Sequence, residues 1–161
     1  MTLPVTAYIG LGSNLGDREQ TIRQAVEALR ACEGITVCAV SRLRETAPVG
    51  GSPQPDYINA VVKVRTSLSA EKLLERLQEI EDHFGRRRAV RWGPRALDMD
   101  LLLYGEVVID GPDLQVPHPR MHERRFVLEP LCDIAPTVRH PLLGKTAAEL
   151  LAAMDSAPKQ G

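Results

Sequence analysis

The chain has 161 residues, 43% of them hydrophobic and 25% charged, with a formal net charge of −1. That length and balance describe one globular domain with one core, and near-neutrality excludes a polybasic binder of nucleic acid or membrane surfaces. An aromatic content of 4% leaves few rings for a base-stacking platform. Cys32, Cys38 and Cys132 form no Cys-x-x-Cys pair and read as reduced, mostly buried thiols, and His83, His118, His122 and His140 do not complete a zinc site with them. No apolar run approaches the roughly 18 residues of a membrane span, and Met1–Pro4 carries no signal segment. The expected location is the cytoplasm.

Ala7–Gly12 reads as a short buried strand ending in a glycine turn, Gly12-Ser13-Asn14-Leu15-Gly16. Its spacing is neither a dinucleotide fingerprint nor a Walker loop, so alone it predicts only a tight strand-to-helix connection. Asp17 and Gln20 form a helix start, followed by the buried stripe Ile22, Ala25, Val26 and Leu29. After Gly34, Ile35–Leu43 reads as a strand with Ile35, Val37 and Ala39 on one side and Cys38 and Val40 on the other. Glu45–Asp56, with three prolines and two glycines, is expected to be an exposed loop. Tyr57–Arg65 returns to strand with apolar residues on both faces, which calls for layers on both sides. Asn59 in that strand needs partners, by default nearby backbone.

Ser69 caps a second helix with a stripe of Leu73, Leu77, Ile80 and Phe84, ended by Gly85. Gln78 and Glu81 share its polar face, which periodicity alone makes a solvated one. The next segment packs Arg86, Arg87, Arg88, Arg91 and Arg95 around the chain's only tryptophan, Trp92. So dense a positive run is stable beside an anion, and the indole offers a stacking surface. Leu97–Tyr104 is then a strand with Asp98 and Asp100 on one face, about 6–7 Å apart, and Leu97, Met99, Leu101 and Leu103 on the other. A hairpin is expected from there into Val107–Ile109, followed by a proline-containing loop holding His118 and a short helix or turn from Met121 towards Leu131. Phe126 there reads as core. Thr146–Met154 is a last amphipathic helix, and Asp155–Gly161 a disordered tail after a single domain of residues 1–154. The order of elements predicts an α+β fold, a ferredoxin-like plait: a mostly antiparallel sheet with helices packed on it, a hairpin extension and C-terminal helices. No apolar stripe is left over, so a monomer is expected.

Two hard carboxylates beside several guanidiniums suit Mg²⁺ carrying a polyphosphate, and two ions held by Asp98 and Asp100 could clamp attacking and leaving oxygens. Residue types stop there; they do not identify the acceptor. Five segments go further: Gly12–Arg18, Gln54–Ala60, Arg91–Asp100, Val116–Met121 and Glu123–Leu128. In this order they resemble the 6-hydroxymethyl-7,8-dihydropterin pyrophosphokinases of folate biosynthesis, over roughly residues 5–137. The resemblance implies transfer of the β,γ-diphosphate of ATP to the pterin's hydroxymethyl oxygen, with release of AMP and two Mg²⁺ ions in the site. It makes Asp98 and Asp100 metal ligands, Asp98 also lying near the attacking hydroxyl. Tyr57 and Phe126 become the rings that sandwich the pterin, with Trp92 beside it. Asn59 reads the pterin's edge, and backbone at Thr46 and Val49 completes that pocket. Arg86 and Arg95 become the catalytic arginines that stabilise phosphate. Gln78, Glu81, Arg88, Trp92, Arg95, His118 and Arg124 surround the nucleotide.

The sequence departs from the family pattern at Ala96 and Ala47, where threonine and proline are frequent, and Arg125 could alter the pocket rim. The expected partners are ATP and the dihydropterin alone, without nucleic acid or membrane. An RNA-binding plait would need exposed rings and excess positive charge, and a nucleotide-sugar transferase using Asp-x-Asp would need a larger donor domain.

Overall fold

Helix-start signals and apolar periodicity place the two long helices. In the computed structural model, which describes residues 4–46, 56–84 and 96–156, helix α1 spans Arg18–Ala31 and α2 spans Ala70–His83. The Asp17 carboxylate accepts from the Gln20 N–H at 3.2 Å, and the Ser69 hydroxyl accepts from the Lys72 N–H at 3.2 Å. Each satisfies an N–H that the first turn leaves without an intrahelical partner. The predicted stripes are buried except for Phe84, which is half-buried, and Ile22, Leu29, Leu73 and Leu77 are wholly enclosed.

Strands β1 (Val5–Ser13), β2 (Ile35–Val40), β3 (Arg44–Thr46), β4 (Tyr57–Thr66) and β5 (Asp98–Tyr104) form one antiparallel sheet of order β2-β4-β1-β5, with β3 also on β4. With α1 after β1 and α2 after β4, this is the ferredoxin-like plait. Helices α1 and α2 pack on one face, against Ala7, Ile9, Leu11, Ala60, Val62, Val64 and Met99. Helix α3 (Arg125–Ile134) covers part of the other face, against Tyr8, Val61, Leu102 and Leu103. Helix α4 (Ala147–Ser156) adds Ala147 to that second core. Thus β4 has apolar layers on both sides, as its sequence predicts. No helix among the described residues is long and apolar enough to cross a membrane.

Several local expectations are corrected. A register shift between Val37 and Ala39 sets Cys38 apart as an extra residue, so Val37 and Val40 pack on the same core. Strict alternation had put them on opposite sides; one inserted residue reverses it. Cys38 is consequently exposed and Cys32 and Cys132 are only partly covered. A second shift, between Tyr8 and Ile9 opposite β5, sends Leu103 into the second core with Leu102, away from Leu101. Glu45 and Thr46 are not loop but strand, paired with Ile58 and Tyr57. The hairpin extension joins different strands from those predicted: β6 (Ile109–Asp110) pairs with β7 (Gln115–Val116), not with β5. Turn chemistry marked Gly105 as a turn, and it is one, but its N–H donates to Thr6 O at 2.7 Å and the chain leaves the sheet there. Helix α4 runs through Ser156, two residues into the expected tail.

His140 gives the fold a pH dependence. Its ring is buried, and Nδ1 accepts from the N–H groups of Leu142 and Leu143 at 3.3 and 3.2 Å. Burial, and secondarily the His122 ring at 5.8 Å, hold its pKa below the ordinary value of 6.5. A histidine that charges less readily when folded contributes stability above its unfolded pKa. That contribution declines as pH falls through about 6.5 and is gone below the lowered folded value. Thermal unfolding at about pH 7.5 and about pH 5 should therefore show a gap that narrows in His140→Gln; an unchanged gap would remove His140 from the account.

Candidate functional site

Sheet register brings the site residues together. Gly12 pairs with Asn59 on one side and with Asp98 on the other, so Asn59, Gly12 and Asp98 form one row across β4, β1 and β5. Gly10 stands likewise between Val61 and Asp100. Neighbouring strands lie about 4.8 Å apart, which puts Asn59 and Asp98 roughly 9–10 Å from one another across a floor that has no side chain at its centre. Helix α3 covers this face only as far as Tyr8, Val61 and Leu102, and the uncovered remainder is a cavity of about 710 Å³. Gly10, Gly12, Tyr57, Asn59, Asp98 and Asp100 line it from the sheet, Thr46 from β3, and Arg124, Arg125 and Phe126 from the start of α3.

Phe126 is therefore half-buried at a cavity wall rather than core, with the Arg124 guanidinium 5.5 Å from its ring centre. Asn59 is buried, and the Thr46 hydroxyl donates to its Oδ1. Arg44 on β3 forms a two-point ion pair with Asp133 on α3, at 2.7 and 3.2 Å, tying together the two elements that flank the cavity.

A second cavity of about 400 Å³ adjoins β5, lined by Leu74, Met99, Leu101, Leu114 and His118, and by Asp100. Asp100 is thus common to both. His118 is fixed at its entrance: its N–H donates to Leu102 O at 2.9 Å, and its Nδ1 accepts from the Arg120 N–H at 3.2 Å. A neutral ring with Nδ1 accepting carries its proton on Nε2. Burial lowers the His118 pKa; Asp100 opposes this, while Arg124 and Arg120 reinforce it.

Glu81 overturns the solvated-face reading. It is 8% exposed, and Oε2 accepts from the Met99 N–H at 2.8 Å. β5 is the end strand on this side of the sheet, and the carboxylate takes the place that a further strand's carbonyl would occupy. The tie falls on the residue between Asp98 and Asp100. Gln78, three residues earlier, is exposed as expected.

Val49, Arg86, Arg88, Trp92 and Arg95 lie outside the described residues, as does Gly85. Of the remaining site residues, Thr46, Tyr57, Asn59, Asp98, Asp100, Arg124 and Phe126 meet in the larger cavity, and Asp100 and His118 in the smaller. Sequence reading missed Gly12, Leu74 and Leu114. The signal for Gly12 was present, since a glycine inside a strand marks a close approach.

The donor set fits Mg²⁺. Two carboxylates project from one strand face at the junction of two cavities, and no cluster of three or more His, Cys, Asp or Glu metal ligands occurs among the described residues. Mg²⁺ commonly uses only one or two carboxylates and fills the octahedron with water and phosphate oxygens.

Comparison with known proteins shows what the chain is similar to. The family model described as 7,8-dihydro-6-hydroxymethylpterin-pyrophosphokinase matches residues 8–136. The 2-amino-4-hydroxy-6-hydroxymethyldihydropteridine pyrophosphokinase of Bacillus subtilis is 51% identical over 132 residues, 82% of this chain and 79% of its own. The protein of the same name from Pseudomonas aeruginosa is 45% identical over 146 residues, 91% of this chain and 90% of its own. Among solved structures, Plasmodium falciparum HPPK-DHPS with pteroate superposes with a TM-score of 0.77 at 15% identity. It covers 97% of this chain, which spans only 43% of that longer one, and at that identity the likeness concerns the fold alone.

Proposed function

The chain belongs to the 7,8-dihydro-6-hydroxymethylpterin-pyrophosphokinase family, and on that premise we infer how its two cavities divide the substrates and where the transfer occurs. The enzyme transfers pyrophosphate from ATP to hydroxymethyldihydropterin, a step of folate biosynthesis. The larger cavity takes the pterin. Its ring lies over Gly12 between Tyr57 and Phe126, its polar edge on Asn59 and its hydroxymethyl arm towards Asp98. The smaller cavity takes the nucleotide, with its apolar wall of Leu74, Leu101 and Leu114 and the Nε2 donor of His118. The observation that carries this division is that Asp100 belongs to both cavities. A group bound to it touches donor and acceptor at once.

In the transfer, the hydroxymethyl oxygen gives up its proton to solvent and forms a bond to the β-phosphorus as the bond from that phosphorus to the bridging oxygen of the α-phosphate breaks, and AMP leaves. Asp98 and Asp100 would hold Mg²⁺, two ions in this reading, and the bound metal would offset phosphate charge and polarise the phosphorus. Asn59, with Thr46, fixes the pterin so that the attacking oxygen is already in line. Arg86 and Arg95 are assigned the charge developing on the transferred group, with Arg88, Arg124 and Trp92 around the nucleotide. Backbone at Val49 is assigned to the pterin side and Gln78 on α2 to the nucleotide, while Glu81 acts there through its bond to the Met99 N–H.

Product analysis tests the reading directly. Incubation with MgATP and 6-hydroxymethyl-7,8-dihydropterin should give AMP and a pterin diphosphate in equal amounts, and neither when Mg²⁺ or pterin is left out. ADP as the nucleotide product would overturn diphosphoryl transfer.

A further inference from the structure

Gly12 stands at the centre of the cavity floor for a reason that backbone conformation does not supply. Its φ is not among the positive values found at Gly16, Gly34, Gly105 and Gly144. It sits inside β1, paired on both sides, where any residue could adopt the backbone and where glycine is intrinsically unfavourable. What a side chain meets is crowding. A Cβ at this position would stand 3.1 Å from Asn59 Nδ2 and 3.5 Å from Tyr57 Cδ1. The first is tighter than an ordinary carbon–nitrogen contact, so the amide, held at Oδ1 by the Thr46 hydroxyl, must give by a few tenths of an ångström. The contrast with Gly10, one row along, is direct: the nearest atoms to a Cβ there belong to Leu102, at an ordinary 3.5 Å.

We propose that Gly12 is a specificity-determining residue of the pterin slot: its missing side chain sets the clearance under the ring and lets Asn59 and Tyr57 lie where they read it. The proposal rests on the assignment of the larger cavity to the pterin. A methyl group at position 12 rises into the slot and displaces the Asn59 amide by a few tenths of an ångström, and the ring loses its fit. The effect is confined to one substrate, since Gly12 lines only the larger cavity.

The test is Gly12→Ala in the full chain. Three quantities are measured: thermal unfolding, binding of a non-hydrolysable ATP analogue with Mg²⁺, and binding of 6-hydroxymethyl-7,8-dihydropterin in the presence of that analogue. The expected result is an unfolding midpoint within a few degrees of the wild type, the strand preference for alanine over glycine offsetting the crowding at Asn59. Nucleotide affinity should be unchanged within about twofold, and pterin affinity should fall by at least about tenfold. A fall in the midpoint of more than a few degrees would make Gly12 a folding requirement and overturn the proposal. So would pterin affinity that survives the substitution, or an equal loss of both ligands. Wild-type protein that binds the nucleotide but no dihydropterin would instead overturn the cavity assignment itself.

Discussion

Replacing Asp98 or Asp100 with alanine is expected to lower turnover by at least about a thousandfold while leaving the fold intact. A thousandfold is about 4 kcal/mol of barrier, within what positioned charge and metal contribute to phosphoryl chemistry. The fold should survive because neither carboxylate is core: Asp98 is half-buried and Asp100 exposed, both at the mouth of a cavity. Loss of either also removes one of two like charges held on one strand face. Steady-state kinetics across a Mg²⁺ titration, with unfolding midpoints measured alongside, separates the two effects. Turnover within about tenfold of wild type in either variant would end the metal assignment.

Glu81→Leu should produce the next largest change, and by a different route. The substitution leaves the Met99 N–H buried at the sheet edge without its acceptor, a loss of about 1–3 kcal/mol. In a domain of this size that lowers the midpoint by roughly 2–4 °C per kcal/mol. Because Met99 lies between the two aspartates, the strand that carries them is loosened at the place where their geometry matters. A fall in kcat of one to two orders of magnitude is expected, with a higher Mg²⁺ requirement. Glu81→Gln keeps an oxygen acceptor and should recover most of the stability. Equal midpoints for the leucine and glutamine variants would show that the hydrogen bond to Met99 is not what Glu81 contributes.

Much of the site was legible because it is written in adjacent residues. Asp98 and Asp100 needed only strand alternation to be placed on one face, and β5 keeps them there. Asp17 and Ser69 cap helices through bonds that reach three residues along the chain. Tyr57, Asn59 and Phe126 were a different case. Periodicity left them as strand and core residues, and it was resemblance in short segments that raised them to substrate contacts; the cavity brings them together.

By itself, then, the sequence determined the capped amphipathic helices, the alternation of the main strands and helices along the chain, the carboxylate pair and the family. All of these depend on spacing within one element or on contiguous motifs. Tertiary structure alone decided the rest. Two register shifts redirected Val40 and Leu103, because a ladder's parity depends on a partner strand that one strand's pattern does not contain. Glu81 became a buried acceptor because β5 ends the sheet and leaves an N–H to be satisfied across 18 residues of chain. Gly12 became the floor of a slot because two registers align it with Asn59 and Asp98. Alternation in one strand says which way a side chain points; only its neighbours say what it meets.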